Sequence, residues 1–240
     1  MNTQTLEKMN QMRLLGMRQA FDTLLETRQQ LTADQTLAML IDAEWEYRKS
    51  SRTERYIKQA AFRYRAAVEQ IRFDPARNLD KDQLLRLAEC TFIDKAENVL
   101  ITGLTGAGKS YLACALGHQA CLKGYRTIYF HTQKLFARLR MAKADQTYLK
   151  MIKNIEKTDV LILDDFGLEP LDQENRLMLL EILEDRHGRK STLIASQLPV
   201  KNWYDIIGEN TIADAILDRL IHQAHRVELK GESLRKLKSN

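Results

Sequence analysis

The residues Gly103-Leu104-Thr105-Gly106-Ala107-Gly108-Lys109-Ser110 satisfy G-x-x-x-x-G-K-[ST] without a mismatch. At this spacing each residue type has a task on a phosphate chain. The glycines let backbone N–H groups turn inward around phosphate oxygens, and the following helix adds its positive end. Lys109 reaches the β- and γ-phosphates, and the Ser110 hydroxyl ligates Mg²⁺. The expected nucleotide-contacting set is Gly103, Thr105, Gly106, Ala107, Gly108, Lys109, Ser110 and Tyr111. Further along, the apolar run Val160-Leu161-Ile162-Leu163 ends in Asp164-Asp165. A carboxylate at a strand end can orient the water shell of a phosphate-bound metal, and Asp164 fits that task. Asp165 is placed to activate or orient an attacking water, the alternative being a cap on a turn. A chain carrying these parts binds a nucleoside triphosphate.

These groups need elements that hold them together. Asn98–Thr102 reads as a buried strand ahead of the loop. Leu112, Ala113, Leu116 and Ala120 then recur at helical spacing up to Gly124, a helix terminator. Further strands are expected at Thr127–His131, Asp159–Asp164, Ser191–Ser196 and Arg226–Leu229, alternating with helices. That alternation predicts an α/β fold with a five-stranded parallel sheet covered on both faces. Two helical stretches, near 133–143 and 146–157, form an extra element between the second and third strands. The fourth strand is expected between the loop strand and the acidic strand, aiming Ser196 and Gln197 at the γ-phosphate. Gln197 is the favoured sensor, against plain turn polarity before Pro199. Near the end of an amphipathic helix over Ala213–Leu220 stands Arg219, whose planar fork suits charge on a transferring phosphoryl group. Read alone, Asp218 and Arg219 are equally well surface charges.

The expected domains are a helical unit over 1–72, a linker and entry helix over 73–97, and a nucleotide-binding domain over 98–240. In the first, Leu14, Met17, Phe21, Leu24 and Leu25 form one apolar stripe. Thr32 and Gln35 resemble a capping box opening a second helix that carries Leu37, Leu40, Ile41 and Trp45 along one face. A third helical segment is expected over Thr53–Val68, and Asp74-Pro75 with Asn78 marks the boundary turn. With 44% hydrophobic and 29% charged residues, the 240-residue chain has an ordinary globular composition. Its longest apolar runs are too short to span a bilayer, and its first residues lack an apolar signal segment, so a cytoplasmic protein without a membrane partner is expected. Cys90, Cys114 and Cys121 have no metal-ligand spacing and read as small core residues. A net charge of +5 and pI of about 9.0 tilt toward a polyanionic partner.

With these pieces in hand, the chain resembles the DnaC/IstB branch of the AAA+ ATPases, and IstB-like transposition helper proteins in particular. The resemblance rests on Asn98–Leu112, Leu161–Gly167 (LILDDFG), Ala195–Pro199 (ASQLP), Asp218-Arg219-Leu220, Gly231–Arg235 (GESLR) and the helical N-terminus beginning Leu14-Leu15-Gly16-Met17. It implies an AAA+ P-loop NTPase fold behind a small helical N-terminal domain, with ATP and Mg²⁺ as cofactors. It further implies that Lys109 and Ser110 bind ATP–Mg²⁺, Asp164 holds the metal, Asp165 takes the catalytic acidic position and Gln197 is the first sensor. Arg219 becomes an arginine finger acting on a neighbour's ATP, and Arg235 a further phosphate-proximal or intersubunit residue. The implied partners are duplex DNA, other copies of the chain with ATP at their interfaces, and an IstA-like transposase. A DnaC-like replicative helicase loader is the alternative, with an ATP-dependent scaffold that does not turn over as a further reading. A small-molecule kinase would need an arginine-bearing lid and an acceptor pocket that the sequence does not offer.

Two departures from the general AAA+ pattern carry expectations. Asp165 stands where Glu is usual, one methylene shorter, which predicts slow, switch-like hydrolysis; its stimulation by DNA is a separate expectation. The short stretch after Leu229 leaves no room for the usual helical lid, so closure over ATP is expected to depend on an adjacent subunit. For DNA contact, the candidates in the extra element are Lys134, Arg138, Arg140 and Lys143, with Lys150 and Lys153 nearby; the plain alternative is a solvated helix face. The basic, aromatic-rich segment Arg48–Arg72 and the terminal Arg235, Lys236 and Lys238 are second and third candidate surfaces.

Overall fold

The computed structural model describes residues 2–27, 30–73 and 77–231. The expected turn at Asp74-Pro75 and the candidate residues Arg235, Lys236 and Lys238 lie outside them. By internal contacts the chain divides into 1–55 and 56–240.

The first unit holds α1 (Asn2–Gln11), α2 (Leu15–Thr27) and most of α3 (Ala33–Ala60). Both arms of the expected capping box open α3: the Gln35 N–H donates to Thr32 Oγ1 at 3.3 Å, and the Thr32 N–H donates to Gln35 Oε1 at 3.0 Å. Glu44 of α3 is buried and accepts from the Met17 N–H at 3.1 Å and from Arg48 Nε at 2.6 Å. Leu37, Ile41 and Trp45 stand largely in solvent, Trp45 at 69% exposure.

The separate helix expected over Thr53–Val68 is not formed. Instead α3 runs unbroken to Ala60, where Ala61 at φ 53° ends it. The following residues, 61–73, form a strap over the second unit, with Ala66 and Val68 buried in its core and Phe62, Tyr64 and Ile71 packed against it. The division at 55/56 therefore falls well before the expected boundary at 72, because apolar side chains of the strap are buried by the sheet domain rather than by the helical unit.

In that second unit, α4 (Lys81–Ala88) and α5 (Thr91–Asp94) lead into β1 (Val99–Gly103) and α6 (Lys109–Leu122). The chain continues through β2 (Thr127–His131), α7 (Thr132–Ala144), α8 (Tyr148–Glu156), β3 (Val160–Phe166) and α9 (Gln173–Arg186). It ends with β4 (Ser191–Ser196), α10 (Trp203–Ile207), α11 (Asn210–Ile221) and β5 (His225–Leu229). The strands form one parallel sheet in the order β2-β3-β4-β1-β5. As expected, β4 lies between the loop strand β1 and the acidic strand β3. Alternation sorts the core: Val99, Ile101, Val160, Ile162, Leu193 and Ala195 face α4 and α6, whereas Leu100, Leu161, Leu163 and Ile194 face α7, α8, α9 and α11. At Gly117 a Cβ would come within 2.6 Å of Ile162 Cδ1 and 2.7 Å of Phe62 Cε1, so α6 is pressed between sheet and strap. Cys90, Cys114 and Cys121 are buried free thiols, and burial pushes Cys114 up to about 11. Among the described residues no helix is long and apolar enough to cross a membrane.

Candidate functional site

The phosphate loop connects the C-terminal end of β1 to the N-terminus of α6, so its N–H groups and the helix dipole converge on one point. Gly103 is required by crowding: a Cβ there would lie 2.3 Å from the Leu229 carbonyl oxygen of β5. Gly106 and Gly108 take φ of 82° and 92°, which bends the loop inward. Lys109 is 5% exposed and donates from Nζ to Leu104 O at 2.9 Å, which holds its ammonium across the loop. Ala107 is buried and its carbonyl accepts from the Arg77 guanidinium. Tyr111 turns its hydroxyl to Gln70 Oε1, 3.0 Å away on the strap.

The carboxylates sit at the end of β3 beside this loop. Asp164 is completely buried, and Ser110 Oγ donates to its Oδ1 at 2.9 Å. The Asp165 N–H donates to the same oxygen at 2.9 Å, and Tyr129 OH donates to Oδ2 at 2.5 Å. Thr132 Oγ1 donates to the Asp164 carbonyl at 2.8 Å. Burial and the adjacent carboxylate drive the Tyr129 hydroxyl far above the usual phenol range, which keeps it a donor. In a regular strand Asp165 would face away from Asp164, but the ladder shifts between Leu163 and Phe166 and Asp165 adopts φ 55°. This bulge turns both carboxylates to one rim. Asp165 Oδ2 accepts from Arg63 at 3.0 Å and lies 3.4 Å from His131 Nε2. The hydroxyl of Ser110 and the buried carboxylate of Asp164 form a hard oxygen pair that fits an octahedral dication shared with phosphate and water.

Of the two candidates after β4, Ser196 is committed to structure. Its hydroxyl donates to Phe166 O at 2.7 Å and accepts from the Leu198 N–H at 3.1 Å. Gln197 reaches the loop itself, accepting from Thr105 Oγ1 at 2.6 Å. Arg219 lies at the other end of the sheet. Asn98, just before β1, donates to the Arg219 carbonyl at 2.8 Å, while the phosphate loop begins after Gly103 at the far end of that strand. Its guanidinium donates to Ala215 O at 2.7 Å and pairs with Glu184. One strand of five residues, about 16 Å, separates Arg219 from its own phosphate loop.

Sequence reasoning missed Tyr129, Arg63 and Arg77. Tyr129 was within reach, since β2 pairs in register with β3 and alternation puts Tyr129 and His131 on the face of Asp164. Arg63 on the strap and Arg77 beyond it carry no such periodic signal.

The extra element α7–α8 presents Lys134, Arg138, Lys150 and Lys153 to solvent. Arg138 also lies over the Phe130 ring. Arg140 and Lys143 instead pair with the start of α9, Arg140 with Asp172 and Asn175, and Lys143 with Glu174 at 2.9 Å. That leaves them weaker candidates for a phosphate backbone than the other four. Within the second candidate surface, Arg63 belongs to the carboxylate rim.

A family model described as IstB-like ATP binding protein matches residues 7–240. The chain belongs to the IstB-like ATP-binding protein family. One IstB-like relative, an insertion sequence ATP-binding protein of Sinorhizobium fredii, is 44% identical over 97% of this chain and 96% of its own length. Another, from insertion sequence IS1162 of Pseudomonas fluorescens, is 41% identical over 83% of this chain and 87% of its own. Among solved structures, the DnaC helicase loader superposes with a TM-score of 0.59 at 22% identity, covering 73% of this chain and 99% of that one. Replication initiator DnaA bound to AMPPCP and single-stranded DNA gives a TM-score of 0.61 at 18% identity over 75% and 56%. At such identities the likeness concerns the fold: this IstB-like ATP-binding protein has the AAA+ P-loop architecture.

Proposed function

We propose that this IstB-like protein is a Mg²⁺-dependent ATPase that assembles on duplex DNA as a homo-oligomer and then engages an IstA-like transposase. The observation that carries the reading is the separation of Arg219 from its own phosphate loop by the length of β1. An arginine there can serve a triphosphate only when another copy presents one, so the complete site spans two subunits. Within one subunit, Lys109 and the loop N–H groups hold the phosphates; Ser110 with Asp164 would hold a metal ion, which would supply charge neutralisation at the phosphates. Asp165 takes a proton from, or orients, the attacking water, and Gln197 monitors the γ-phosphate from beside Thr105. The exposed cations of α7 and α8 and the net charge of +5 support a sequence-independent contact with DNA phosphates.

The test is ATP turnover with and without duplex DNA for the natural protein, Lys109→Ala and Asp165→Ala, with oligomer size followed by sedimentation. Expected are DNA-stimulated turnover, its loss in both variants, and loss of ATP-dependent assembly in Lys109→Ala. Assembly on DNA that ignores ATP overturns the reading. Turnover unchanged in Asp165→Ala removes that residue from the chemistry. Binding compared between a transposase and a hexameric helicase separates a transposition helper from a loader.

A further inference from the structure

The strap 61–73 reaches the carboxylate rim through one cation. Arg63 NH1 lies 3.0 Å from Asp165 Oδ2 and 3.7 Å from Asp164 Oδ2, and its side chain is 41% exposed. Its guanidinium also lies over the Tyr64 ring, 5.4 Å from the centroid, and Tyr64 stands against Tyr111 of α6. On either side of Arg63 the strap is attached by apolar contact, with Phe62 against Gly117 and Ala66 and Val68 in the core, and farther on by Gln70, which accepts from Tyr111 OH.

We propose that Arg63 and the metal ion compete for the Asp164–Asp165 pair, so that a divalent cation loosens the strap segment 61–65 from the site. The inference rests on the metal assignment above. Arg63 approaches the pair from the Oδ2 side of Asp164, with His131 beside Asp165, while Ser110 donates to Asp164 on the Oδ1 side where the metal would sit. A dication held there would share the buried Asp164 carboxylate with Arg63, and the two cations would repel, the more so because Asp164 itself is out of water. Arg63 has solvent on its open side and can leave; Asp164, fully buried and held by Ser110 and Tyr129, cannot follow. Since the strap follows α3 directly in the chain, metal occupancy is thereby passed to the segment that joins the helical unit to the ATPase domain. Arg63 is a positioning residue, acting through the carboxylates.

The experiment uses the full chain with Mn²⁺ as a paramagnetic probe, and Mg²⁺ with a non-hydrolysable ATP analogue. Arg63→Ala is expected to bind Mn²⁺ about two- to fivefold more tightly, the scale of a partly exposed ion pair. Arg63→Lys should restore the natural affinity. Hydrogen exchange over 61–65 should rise on adding Mg²⁺ and the analogue to the natural protein, and already be high in Arg63→Ala without them. Unchanged or weaker Mn²⁺ binding in Arg63→Ala overturns the proposal, as does strap exchange indifferent to metal. Asp164→Asn separates the two levels. If it binds Mn²⁺ as well as the natural protein, the metal assignment itself falls; if it loses Mn²⁺ while Arg63→Ala is unchanged, only the role of Arg63 falls.

Discussion

Tyr129→Phe isolates the hydrogen bond that orients the buried carboxylate. The substitution removes one oxygen and keeps the ring, which is itself buried in β2, so packing against α6 and β3 is preserved. What is lost is a donor 2.5 Å from Asp164 Oδ2, on a carboxylate with no solvent exposure. A hydrogen bond to a charged group contributes about 1.5–3 kcal/mol, and stranding a buried acceptor costs at the upper end. Here Asp164 keeps the Ser110 hydroxyl and the Asp165 N–H on its other oxygen, with Arg63 at 3.7 Å. That places the expected loss in the lower half, about 1.5–2 kcal/mol, roughly a tenfold or larger change in the folding equilibrium. Urea unfolding of the natural protein, Tyr129→Phe, Asp164→Asn and the double variant measures it. The cycle should return a coupling of about 1–2 kcal/mol between the two residues. A loss below about 0.5 kcal/mol, or a coupling near zero, would refute the view that Tyr129 holds the Asp164 carboxylate in place.

Other perturbations probe separate parts of the site. Gly103→Ala forces a Cβ within 2.3 Å of the Leu229 carbonyl oxygen, a backbone atom held in the sheet that cannot give way, so about 3 kcal/mol or more of stability and all ATP-analogue binding should be lost; a natural melting temperature would contradict the crowding. Arg219→Ala breaks a partly exposed pair with Glu184, so the single subunit should lose no more than about 1 kcal/mol, yet hydrolysis by the assembly should collapse. Mixing Arg219→Ala with Lys109→Ala should recover part of the turnover, because one variant supplies the loop and the other the arginine; no recovery at any ratio counts against a site shared between subunits. Burial works against the charge of Glu44, but its hydrogen bonds with Arg48, Met17 and Gly16 prevail and lower its pKa from 4.5. Its stabilising contribution is therefore present above about pH 4.5 and fades as pH falls through the lowered value. Melting temperatures of the natural protein and Glu44→Gln should differ at neutral pH and converge in acid; a gap independent of pH excludes the linkage.

The order and ends of the strands were legible because each is a short apolar run closed by a turn, and because the loop motif needs a strand before it and a helix after it. Ser110, Asp164 and Gln197 could be placed for the same reason: each ends or begins an element whose neighbours in the sheet follow from parallel topology. The capping box at Thr32 was legible because its hydrogen bonds join residues three apart. The helix boundary near 60 was not. Aromatic residues at helical spacing in 53–68 fit a helix as well as they fit a strap, and only the apolar surface of α6 and the sheet decided which.

By itself, then, the sequence determined the nucleotide chemistry, since the phosphate loop and the acidic strand end are local patterns whose geometry is set by backbone rules. Tertiary structure alone decided how the two carboxylates share one rim, because a bulge in β3 is a property of strand pairing and not of composition. It alone brought Tyr129 and Arg63 to Asp164 and Asp165, across 35 and 102 positions of chain. It also sent Arg219 to the opposite end of β1 from the phosphate loop. Contacts so distant in sequence depend on which faces are buried together, and that is settled only when the whole core packs.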